Sequence, residues 1–156
     1  MYYNVEEIEI AIDKAKAIIN SRTKEVDTYK RGYNDCFALL VEYDKALRGK
    51  SSYYHNFNFS EYTTIRGFFK ALTDSGFISL EQMATDSNYE LIKTKRPIYG
   101  DIAFQSRPSD KELGGAMLAG NGRWITTSES NEGVVEKRPL FFLEMKLSLL
   151  ARPLRS

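Results

Sequence analysis

Cys36 is the only cysteine in the 156 residues, and it is the one side chain with an obvious nucleophilic chemistry. It stands in Arg31-Gly-Tyr-Asn-Asp-Cys-Phe-Ala-Leu-Leu-Val-Glu-Tyr-Asp-Lys-Ala-Leu-Arg48. Asn34 and Asp35 are good helix N-caps, so Cys36 falls in the first turn of the helix that follows. A thiol there sits near the positive end of the helix macrodipole, which favours the thiolate. The competing reading is a small buried side chain on an apolar helix. An active thiol also needs a base. His55 is the only histidine and sits in the polar-aromatic connection Ser51 to Phe59; reading it as a surface loop residue competes with reading it as a base. Asp35 and Asp101 read as structural carboxylates, one flanking the helix and one in a turn. One His and one Cys do not make a zinc site, and Gly120-Asn-Gly122 reads as a hairpin turn rather than a phosphate loop.

The elements that must position Cys36 follow from periodicity. Residues 4–20 form an amphipathic pattern, with Asn4 and Glu7 as a capping box and Val5, Ile8, Ile12 and Ile19 as the apolar stripe. Ser21 to Lys30 reads as a polar loop. In the Cys36 helix, Phe37, Leu40, Val41, Asp44 and Leu47 recur on one face, and Gly49 is its stop. Ser60 is the expected cap of a third helix with Ile65, Phe68, Phe69 and Leu72 inward and Gly76 as its end. Ser79 with Gln82 suggests a short capped turn of helix.

From about residue 88 the pattern changes. Tyr89–Thr94, Ile102–Phe104, Gly115–Ala119, Arg123–Thr127, Val134–Val135 and Phe141–Leu150 read as strands, with Pro139 interrupting the last two. Turns and a charged loop from Ser106 to Glu112 separate them. Helices first and an antiparallel meander second give an α+β fold with one core. The tail Met145–Ser156 is apolar and basic; it reads equally as a docking arm or as a last strand with a frayed end.

Composition narrows the functions. The length suits one domain. A net charge of +1 gives no global attraction to nucleic acid or to acidic membranes. No apolar run is long enough for a membrane span, and the N-terminus shows no secretory pattern. A lone cysteine leaves no internal disulfide. Tyrosines and phenylalanines are abundant, with 10 and 9 respectively, which suits interfaces as well as packing.

The order of these parts resembles the NlpC-type papain-like cysteine peptidases. The resemblance rests on Asp35-Cys36 opening a helix and on Pro97-Ile-Tyr-Gly100-Asp101 leading into Ile102-Ala-Phe104. It extends through Gly114-Gly-Ala-Met-Leu118, Gly120-Asn-Gly-Arg123-Trp-Ile-Thr126 and Gly133-Val-Val. It runs from about residue 29 to the C-terminus and implies N-terminal helices packed on a small antiparallel sheet. The domain reading is a single NlpC-like unit over 1–156: an N-terminal helix and loop at 1–28, a core at 29–140, and the last strand and tail at 141–156. In the family Cys36 would be the nucleophile. Its base histidine falls on Gly114 and its orienting residue on Thr126. Glycine cannot take a proton, so the resemblance implies a vestigial Cys36 and no cofactor.

The motif Asp-Cys-x-Ala-Leu-Leu-Val-Glu-Tyr, in a small domain standing alone, is similar to versions encoded among phage tail genes. That implies a non-catalytic tail-tip or baseplate component, made in the host cytoplasm and located in the virion. Expected partners are other tail proteins, with a second copy of the chain and peptidoglycan as further candidates. The alternative is an active cysteine hydrolase cutting peptidoglycan stem peptides with Cys36. A third reading is a module that binds the wall without cutting it.

Overall fold

Asn4 opens α1 (Val5–Val26) with a reciprocal cap. Its side chain accepts from the Glu7 N–H at 2.8 Å, and the Glu7 carboxylate accepts from the Asn4 N–H at 3.3 Å. Two otherwise orphaned donors are satisfied together. The structure, a computed structural model, describes residues 1–49, 52, 65–105, 115–128, 130, 132–142 and 147–155. His55, Ser60, Gly114 and the 106–112 loop lie outside the described residues.

The first helix continues past Ser21 into the stretch expected to be a loop. Tertiary anchors hold the extra turns. The Thr23 hydroxyl donates to the Ile19 carbonyl at 2.9 Å, and Arg22 donates to the Tyr33 carbonyl at 3.1 Å and to Glu42 at 2.9 Å. Asp27 then ends the helix in the left-handed region at φ 51°.

Asp35 caps α2 (Cys36–Arg48) by accepting from the Ala38 N–H at 2.9 Å. Every residue from Phe37 to Asp44 is buried. The expectation of a single apolar face therefore understates this helix: α1 packs on one side and the sheet on the other. A helix with two covers has little use for a polar face. Next come α3 (Ile65–Asp74) and α4 (Leu80–Asp86), the latter capped by Ser79 accepting from the Gln82 N–H at 3.1 Å. Phe68 packs edge-on against Phe37 with ring centres 4.6 Å apart. Phe69, expected inward, is 48% exposed.

The strands are β1 (Tyr89–Leu91), β2 (Ile102–Phe104), β3 (Ala116–Ala119), β4 (Arg123–Thr127), β5 (Val134–Pro139) and β6 (Leu149–Pro153). They form one antiparallel sheet in the order β1-β6-β2-β3-β4-β5. The four strands from β2 to β5 are the expected meander. The last strand is not its continuation. It starts at Leu149 rather than Phe141 and inserts between β1 and β2, with Ala151 paired to Leu91 on one side and Ile102 on the other. A central slot needs a strand apolar on both faces, and Leu149-Leu150-Ala151, all buried, supplies one. Phe141, placed in this strand by the sequence pattern, is 69% exposed outside it.

Side chains alternate across the sheet. Ile102, Phe104, Ala116, Leu118 and Ile125 join the helices in the larger core. Ala103, Met117, Ala119, Trp124 and Leu150 form a second core on the opposite face, closed by Leu140 with Ile92 and Leu147. The β3–β4 turn needs both of its glycines for different reasons. A Cβ on Gly120 would lie 2.7 Å from the Ile125 side chain, while Gly122 has φ 86°.

The termini fold back on the body rather than extending as arms. Tyr2 forms a bridge with Leu154, the Tyr2 hydroxyl donates to Glu90, and Arg155 pairs with Glu7.

Candidate functional site

The cap on Asp35 fixes Cys36 as the first residue of α2, and the packing of α2 on the sheet brings the sulfur to the start of β3. The backbone N–H groups of Ala116, Cys36 and Gly115 face it. This is the arrangement by which a fold would hold a thiolate. Yet burial pushes the thiol up to about 12, and the Asp35 carboxylate adds to the rise; the three N–H groups oppose it without matching it. The lowering expected from the helix N-terminus is therefore outweighed by desolvation. With a pKa near 12, only about one thiol in 10⁵ is ionised at neutral pH. The residue as a whole remains half-buried.

The carboxylates singled out by sequence sit in structural roles. Asp35 caps α2. Asp101 is fully buried and clamped by Arg152, Nε to Oδ1 at 2.8 Å and Nη2 to Oδ2 at 3.0 Å, while the Ile98 N–H donates to it at 2.9 Å. Burial raises its carboxyl above the ordinary value against the pull of Arg152. The Pro97–Asp101 turn is tied to α2 as well: the buried Tyr43 hydroxyl donates to the Gly100 carbonyl at 2.7 Å.

Thr126, the position matched to an orienting residue, is fully buried, and its hydroxyl donates to the Ala116 carbonyl at 3.0 Å. Thr127 was not singled out by the sequence. It pairs with Val134, which packs on the helix-side core, so Thr127 shares the face of α2. Its hydroxyl is buried and finds no partner among the described residues. Period-2 alternation from the inward Ile125 is the signal that would have found it. Gln105, at the end of β2, is also buried with its amide unpartnered among the described residues, while its backbone N–H donates to the Gly115 carbonyl at 2.7 Å.

Among the described residues no cluster of His, Cys, Asp and Glu could hold a metal ion, and no helix is long and apolar enough to cross a membrane. No family model matches this chain, and neither a curated protein nor a solved structure matches it.

Proposed function

We propose that this chain is a papain-like, NlpC-type domain that has lost its chemistry and serves as a structural component of a phage tail tip or baseplate, through contacts with neighbouring tail proteins. The observation that carries the loss of chemistry is the state of Cys36. Its sulfur lies at an Asp-capped helix start against the first residues of β3, with burial holding the thiol near 12. In this reading Gly114 stands where the base histidine would be, and a glycine cannot relay a proton to a leaving amine. General acid–base catalysis alone contributes about 10²–10⁴ in rate, and a neutral thiol forfeits the nucleophile as well. The tail assignment rests on the sequence resemblance alone.

The deciding experiment is turnover of purified peptidoglycan by the full chain, with Cys36→Ala as control. The expected result is no release of stem-peptide fragments by either protein. Release that disappears in Cys36→Ala would overturn the reading in favour of a cysteine hydrolase. Retention on insoluble peptidoglycan without release would point to the wall-binding module instead. The virion assignment is checked by detecting the chain in purified tails.

A further inference from the structure

The charges of α1 are sorted along its length. Residues 5–13 carry Glu6, Glu7, Glu9 and Asp13 and no base, while residues 14–24 carry Lys14, Lys16, Arg22 and Lys24 and no acid. The helix macrodipole accounts for acids in the first turn and a base in the last, and its influence ends there. Glu9, Asp13, Lys14 and Lys16 lie beyond its reach. Pairing within the helix does not account for them either, because Glu9 and Asp13 are like charges one turn apart, a spacing that opposes helix formation. Glu7 pairs with Arg155 and Arg22 with Glu42. Glu6, Glu9, Asp13, Lys14, Lys16 and Lys24 join no ion pair among the described residues.

Between the two charged halves the exposed face is apolar. Ile10 and Ala17 stand two turns apart on the side opposite the buried Ile8, Ile12, Ala15 and Ile19; both are exposed, Ile10 by 51%. Ile98, half in water, and Tyr99 flank the acidic half: burial raises the Tyr99 phenol, and the charges of Glu9 and Asp13 add to the rise. We propose that two copies of this chain dock through this face, α1 on α1, antiparallel about a two-fold axis that crosses between Asp13 and Lys14. That axis lays Ile10 on the partner's Ala17 and Asp13 on the partner's Lys14, and sets Glu6 and Glu9 against the basic half of the partner helix. A face whose charge changes sign at its midpoint is complementary to itself turned end for end, which is why the occupant is a second copy. Parallel packing would set like charge on like. The contact is isologous and closes at two copies. A single helix pair buries little surface, so its affinity sits at the weak end of specific interfaces. Cys36 takes no part in this contact, which stands whatever the fate of the thiol.

The test is sedimentation of the full chain over a range of concentrations up to about 1 mM. The expected result is a monomer–dimer equilibrium with a Kd on the order of 10⁻⁴ M and no larger species, weakening at least about threefold when salt is raised from about 0.05 to about 0.5 M. Asp13→Lys and Lys14→Asp, each alone, set like charges across the axis and are expected to weaken the dimer about tenfold. An equimolar mixture of the two variants restores opposite charges at both crossings and is expected to associate within about threefold of the wild type. Ile10→Ser, which alters no charge, is expected to weaken the dimer severalfold. All three side chains are exposed, and an unchanged circular dichroism spectrum establishes that the variants fold. A wild-type chain that stays monomeric at about 1 mM overturns the proposal. So does a dimer indifferent to salt, a species larger than two copies, wild-type association by the single variants, or a mixture no tighter than its components.

Discussion

Asp44 and Arg48 form an ion pair one helical turn apart and almost wholly out of water, Nε to Oδ1 at 2.7 Å, with side chains 0% and 4% exposed. The pair is completed by its surroundings. Ser52 donates to Oδ2 at 2.6 Å and Tyr89 to Oδ1 at 2.8 Å, while Arg48 also donates to the carbonyls of Asn88 at 3.0 Å and Leu154 at 3.1 Å. The end of α2 opposite Cys36 is thus pinned to the approach to β1 and to the chain just after β6.

Removing Asp44 strands a buried guanidinium. Asp44→Ala is expected to cost about 3–5 kcal/mol, the usual penalty for breaking a buried pair by deleting one partner. Tyr89→Phe removes one hydrogen bond and leaves the ring beside Arg48, so about 1 kcal/mol is expected. Urea denaturation followed by circular dichroism checks both. Equal losses for the two variants would show that the network is not centred on the carboxylate.

Cys36 makes a prediction about pH. A thiol whose pKa is raised in the folded state stabilises the fold fully below the unfolded value of about 8.5. That contribution is lost as pH rises through about 12. Between these values the wild type is expected to lose stability relative to Cys36→Ala by at most about 1.4 kcal/mol per pH unit. Alkylation of the native protein by iodoacetamide is expected to climb through the same window without levelling off. A rate that levels off near neutral pH would show a thiolate and contradict the burial account.

What the sequence made legible was local. Caps announce helix starts because donor and acceptor lie within four residues, as at Asn4 with Glu7, Asp35 with Ala38 and Ser79 with Gln82. The hairpin at Gly120–Gly122 was legible for the same reason. The place of Leu149–Pro153 was not, since an apolar strand looks alike at the end of a meander and in the middle of a sheet, and its partners Tyr89–Leu91 and Ile102–Phe104 are distant in the chain. The thiol's environment was hidden too. The helix N-terminus next to Cys36 is visible in sequence, whereas the desolvation that outweighs it comes from packing.

The central position of β6 makes the C-terminal end indispensable. Deleting residues 149–156 removes the neighbour of both β1 and β2 and is expected to abolish cooperative unfolding. An arm would be dispensable. Deletion of Ser156 alone leaves the strand and the Arg155–Glu7 pair in place, and its melting temperature is expected to match the wild type. Thermal melts of the two truncations decide between a strand and an arm.

Gly100 and Gly76 share a positive φ but not an environment, which separates strain from crowding. Their φ values are 93° and 94°. A Cβ on Gly76 meets nothing within 4 Å, while one on Gly100 would lie 2.7 Å from Cγ2 of Ile8 and 3.0 Å from the Tyr43 hydroxyl. Gly76→Ala should therefore cost only the conformational strain, about 1–2 kcal/mol. Gly100→Ala adds overpacking of about 1–3 kcal/mol, because Ile8 and Tyr43 are both buried and cannot swing aside. The Tyr43 hydroxyl that donates to the Gly100 carbonyl is then pushed off its acceptor. Equilibrium unfolding of the two variants is expected to place Gly100→Ala below Gly76→Ala by at least about 1 kcal/mol. The loss should shrink in the double variant with Ile8→Ala, which frees the space a new methyl needs. Equal losses at the two glycines would mean that the turn carrying Asp101 is not packed against α1 and α2 as described.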